Sequence, residues 1–158
     1  MTLEKKQEFT LKISEANKTQ MITIIYEMVM YYLDEAIDNI GIGKKEDAEK
    51  SLNRAQNCID ELIHSLNMDY ELAKNLLQIY IFSKKELTVA SATFSINRIW
   101  RVLKNFKNLH EAYEELEKED KAGKVMGNTQ KVYAGLTYGK YSLNEDVTAV
   151  SYNRGLMA

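Results

Sequence analysis

Proline is absent from all 158 residues, and glycine falls into two clusters: Gly41 and Gly43, then Gly123, Gly127, Gly135, Gly139 and Gly155. From Lys44 to Ala122 the chain has neither. That excludes the breaks and left-handed turns these residues supply and favours long uninterrupted helices. Cysteine is nearly missing too: Cys58 stands alone, so no internal disulfide forms, which fits a reducing compartment. No charge sign dominates, with a net charge of −2. There is no basic excess to hold phosphate backbones or anionic lipid, so nucleic acid and membrane surfaces are poor candidates as partners. No apolar run reaches the roughly 20 residues of a membrane span, so no membrane insertion is expected. The opening "MTLEKKQEFT" has no apolar h-region and reads as no secretory signal, so the expected location is cytoplasmic.

What the chain has instead is one stretch far more apolar than its surroundings. In "MITIIYEMVMYYL", Met21 to Leu33, only Thr23 and Glu27 are polar, in a chain with 28% charged residues. A surface helix needs only about half of such positions to face a core. Four helices are expected, over about Lys18–Ile40 behind an Asn17 cap, Lys45–Leu66, Asp69–Ser91 and Phe94–Lys118. "GIGK" at 41–44 ends the first, and "NMD" at 67–69 and "SAT" at 91–93 separate the others. Such short links force antiparallel neighbours. The length suits one domain. The expected fold is therefore all-α, an antiparallel up-down four-helix bundle over residues 1–118 that includes an N-terminal lid over 1–16. Phe9, Leu11 and Ile13 alternate with polar residues there, an extended pattern with one sticky face. Residues 119–158, with "VYAGLTYGKYSL" at 132–143, read as an irregular Gly/Tyr-rich C-terminal arm, ordered only by packing or a partner.

Catalytic chemistry finds little support. Glu61 and His64 form an E-x-x-H like those of di-iron bundles, but Glu61 projects away from the expected stripe of Leu52, Ala55, Ile59, Leu62, Ile63 and Leu66. The second E-x-x-H is missing, because Lys107 stands three residues before His110. Solvent-facing charge is the expected role of Glu61, and a hydrogen-bonded packing role that of His110. Neither histidine has a nucleophile in a recognisable setting, and no Gly-rich phosphate loop follows a strand. No enzyme, cofactor or metal is expected.

The apolar surplus therefore becomes the question. On the first long helix Met21, Ile24, Ile25, Met28, Val29, Tyr32 and Ala36 form a plausible core stripe, which leaves Ile22, Tyr26, Met30, Leu33 and Ile37 as a second apolar face. Either the lid and arm shelter that face or it belongs to a groove for a partner helix. On the last helix Trp100 sits about 120° from the core stripe, with Ile96 and Leu103 between. It is covered by the arm or anchors a partner. Arg98, Arg101, Lys104 and Lys107 precede Glu111, Glu114, Glu115 and Glu117 on that helix, an order that opposes the helix dipole. The basic stripe is a solvated face or a docking site for an acidic partner. Candidate partner-binding residues are thus Phe9, Leu11, Ile13, Ile22, Tyr26, Met30, Leu33, Ile96, Trp100 and Leu103.

Three stretches resemble a known family, the flagellin-specific export chaperones FliS. "RAQNCIDELIHSLNMDY" at 54–70 is the most specific, with "ANKTQMITIIYEMVMYYLDEA" at 16–36 and "AKNLLQIYIFSKKELTVA" at 73–90 on either side. The likeness covers roughly residues 9 to 118. Asn17-Lys18 replaces the family's usual Ser-Pro, "IYEMV" replaces Leu-Tyr-Asp-Gly-Ala, and Tyr113 stands where a tryptophan is usual. The resemblance implies a helical bundle that holds the C-terminal helices of flagellin, prevents premature polymerisation and delivers the client to an export-gate component of the flagellar type III apparatus. The alternative is a non-enzymatic bundle that dimerises through the same apolar surface.

Overall fold

The computed structural model of the chain describes residues 1–122, with side chains through Glu119. The expectation for 119–158 lies almost wholly outside the described residues. Those described are helical with no strands: α1 Leu3–Glu15, α2 Lys18–Gly41, α3 Lys45–Ser65, α4 Glu71–Thr93 and α5 Ile96–Ala122. The fold is all-α.

α2 begins where the sequence placed it. The Asn17 side chain accepts from the Gln20 backbone N–H at 2.9 Å, and the Asn17 N–H donates to Gln20 Oε1 at 3.0 Å. This reciprocal pair satisfies two orphan donors and is worth about 1 kcal/mol. Gly41 stays helical, and Gly43, at φ 77°, makes the left-handed turn out of the helix. With no glycine between Lys44 and Ala122, α4 ends on Phe94, which adopts the left-handed conformation at φ 55° and lays its ring 5.2 Å from the Lys45 ammonium. The expected separators "NMD" and "SAT" do not both fall between helices: "NMD" precedes α4, but "SAT" at 91–93 is its last turn. Tyr70 is the N-cap of α4 without a side-chain hydrogen bond, and Thr93 lies inside the helix.

α2 packs against α3 and α5, and α4 closes the ring by packing against the same two. The centre is aromatic. Tyr26 meets Phe106 and Tyr113 edge-on at 5.6 and 5.5 Å, and Tyr80 stacks on Phe106 at 6.1 Å. Such pairs add about 0.5–1.5 kcal/mol beyond the area they bury.

The N-terminal segment is the main correction. It is a helix, capped by the Thr2 hydroxyl oxygen accepting from the Lys5 backbone N–H, and not an extended strand. Phe9 and Ile13, four apart, are buried together, whereas Leu11 is 59% exposed. Positions 9, 11 and 13 share a face only at a period of 2; at 3.6 residues per turn the middle one points outward.

Candidate functional site

α1 lies on α2 and is tied to it by few but specific contacts. Phe9 meets Tyr31 edge-on at 6.4 Å, the Lys12 ammonium donates to Glu27 Oε2 at 2.7 Å, and the Met1 ammonium pairs with Glu35. Glu35 also accepts from Ser51 on α3 at 2.8 Å. Burial pushes the Tyr32 phenol up to about 12, so it stays neutral beneath this cover. His110 on α5 reaches Glu27 Oε1 at 3.3 Å, so Glu27 sits between α1 and α5.

The expected core stripe of α2 is inside, with Met21, Ile24, Ile25, Val29, Tyr32 and Ala36 buried, but most of the second face is inside as well. Ile22, Tyr26 and Leu33, assigned to an open second face, are fully buried in the bundle centre and offer no surface as the chain stands. Met30 and Ile37 are half-buried. α1 covers the side that carries Ile24, Glu27 and Tyr31, part of which was expected to be core. Leu103 is likewise fully buried, and Ile96 is half-buried. Glu61 is a further correction: it is only 9% exposed, while His64 is exposed, so the E-x-x-H pair does not share an environment. α3 packs against both α2 and α4, and a helix with two packed flanks buries residues well off its central stripe. Among the described residues no group of three His, Cys, Asp or Glu could hold a metal ion.

What does remain open is apolar surface on α4 and α5. Trp100 is 51% exposed, and Leu72, Ile81, Phe82 and Val89 are exposed on α4. Two depressions accompany them. One, of about 370 Å³, is lined by Trp100, Arg101, Leu103, Lys104 and Lys107. The other, of about 520 Å³, is lined by Ile81, Lys84, Lys85, Thr88 and Val89. Each has an apolar floor and a cationic rim. Of these residues the sequence singled out Trp100, Leu103 and the basic Arg101, Lys104 and Lys107 but missed the exposed apolar positions of α4. The signal was present: Ile81, Lys85 and Val89 recur every four residues, which reads equally well as core until neighbours are known.

Helices closed into a ring around an aromatic core, with apolar depressions on the outside, define a helical binding module. A family model described as "Flagellar protein FliS" matches residues 2–120, and the chain belongs to that family of flagellar export chaperones. No curated protein matches the chain.

Proposed function

We propose that this chain is a cytoplasmic chaperone for the C-terminal helical segment of flagellin, and that it masks that segment against premature polymerisation and presents it to a component of the flagellar export gate. α2 to α5 are read as an up-down antiparallel bundle, residues 1–118 as its working unit with α1 as a cover, and the work as steric masking with no catalysis. The observation that carries this is the exposed apolar surface of Ile81, Phe82 and Val89 on α4 and of Trp100 on α5, left open in a chain whose family handles flagellin. Exposed apolar side chains of this size favour an apolar partner helix, because burial returns about 25 cal/mol per Å². α1 supplies a second, gated surface. A short helix held by Phe9, Ile13 and a few ion pairs opens at lower free energy than the bundle, and a client helix takes over the Ile24–Tyr31 side of α2. Ile22, Tyr26, Leu33 and Leu103 contribute by shaping the core beneath, while Met30 and Ile96 stand at its edge.

The test uses purified flagellin from the same cell. A one-to-one complex by size exclusion with light scattering, lost when the flagellin lacks its C-terminal helices, is the expected result. A chain that ignores flagellin and elutes as a stable dimer would instead favour the dimerising adaptor. Among the described residues no helix is long and apolar enough to cross a membrane.

A further inference from the structure

We infer that the Trp100 groove receives an acidic amphipathic helix, one that sets a large apolar side chain against Trp100 and Leu103 and carboxylates against Arg101, Lys104 and Lys107. This rests on the chaperone reading only in taking the surface for a docking surface; what it adds is the chemistry of the occupant.

The groove has two apolar and three cationic lining residues and no anionic one. Leu103 is fully buried and forms its floor; Trp100 stands half out of it, with the Lys107 ammonium 6.0 Å from the indole ring. Arg101 reaches sideways to Glu86 on α4 at 3.2 Å, a carboxylate it shares with Arg98. Lys104 has no ion-pair partner among the described residues. On the α2 side Asp34 feels the Lys107 charge, although burial outweighs it and raises the Asp34 carboxyl above its ordinary value. The cationic rim is local, since the whole chain carries −2. A partner carboxylate makes a charge-assisted contact there beside an apolar pocket.

Charge and shape separate the possible occupants. Residues 123–158 carry Lys124, Lys131, Lys140 and Arg154 against Glu145 and Asp146, a net positive segment that this rim repels. A second copy could present the acidic half of α5, but its exposed residues there, Glu111, Ala112, Glu114, Glu115, Lys118 and Glu119, include no large apolar side chain to fill the groove. A foreign helix with both features fits.

Trp100 is the only tryptophan in the chain, so its emission reports this groove alone. The probes are two lactam-stapled helical peptides of about 20 residues without tryptophan, each with a Leu/Phe stripe, flanked in one by Glu and in its twin by Lys. Titrated into the full chain at low salt, the Glu peptide should blue-shift the emission saturably and bind about tenfold or more tighter than the Lys peptide. At about 0.5 M salt the difference should shrink to roughly twofold, as the screening length contracts. Lys104→Glu with Lys107→Glu should invert the preference while far-UV circular dichroism and the melting temperature hold. Lys104→Gln should lower it without inverting it, which covers a double variant that fails to fold. Equal affinity for the twins, preference for the Lys peptide, no emission shift, or a preference that both variants leave unchanged overturns the inference. So does an emission that shifts with protein concentration alone, which marks a second copy, or on truncation after Ala122, which marks the C-terminal segment. Flagellin binding is scored separately. If the Glu peptide binds and flagellin does not, the groove stands and the chaperone reading falls; if flagellin binds and the twins are equal, the reverse holds.

Discussion

The hydroxyls of Tyr26 on α2 and Tyr80 on α4 lie 2.6 Å apart, one donating to the other, with both side chains fully buried. α2 and α4 face each other across the ring of helices, so this bond crosses the centre of the core. Tyr26→Phe and Tyr80→Phe should each cost about 1 kcal/mol of stability, and the double variant less than the sum, because each single change already removes the same shared bond. Urea denaturation of the four proteins measures this. Additive losses would mean that the two hydroxyls are not energetically coupled. Tyr26→Asp, which puts a charge at the same point, should unfold the bundle outright.

α1 should separate from the bundle before the bundle itself melts. Phe9→Ala should remove about 3 kcal/mol of local docking, within the range for deleting a buried ring, while Leu11→Ser stays within about 0.5 kcal/mol. Hydrogen exchange reads the difference as lost amide protection in residues 3–15 with that of α2 to α5 retained. Equal sensitivity at positions 9 and 11 would contradict the observed helical face.

Docking of α1 should also weaken at high pH. The hydrogen bond to Glu27 raises the Lys12 ammonium above its ordinary value of 10.5. A raised lysine contributes fully below that value and is lost as pH climbs through the higher folded one. A fluorine label on Phe9 should therefore report a changed environment only above about pH 10. A signal that stays flat there while the bundle remains folded would disconnect this ion pair from docking.

Glu86 should matter more than either arginine it binds. It is almost buried on α4 and accepts from Arg98 at 2.8 Å and Arg101 at 3.2 Å on α5. Glu86→Ala should cost about 2 kcal/mol, since it leaves two guanidiniums without their shared acceptor. Arg101→Ala, at the exposed end of the trio, should cost about 0.5 kcal/mol or less. Thermal melts distinguish them, and an Arg101 loss as large as that of Glu86 would argue against the ranking.

The sequence by itself determined the helical class and nearly all the helix positions. An absence of glycine and proline from Lys44 to Ala122, with Asn17 and Gln20 at the head of α2, acts within a few residues and needs no partner to be read. It also marked Trp100, because an aromatic so far from a core stripe is visible on one helix alone. Only the tertiary structure decided which apolar face is inside. α2 is apolar nearly all round, and a helix of that kind has no preferred side until its neighbours arrive; α3 and α5 claimed Tyr26 and Leu33, and α1 took the side of Tyr31. The same holds for residues 9–13, where three apolar positions satisfy a period of 2 as readily as two satisfy 3.6, and for the α4 row of Ile81 and Val89. Burial is a property of pairs of elements, so it becomes fixed when they dock.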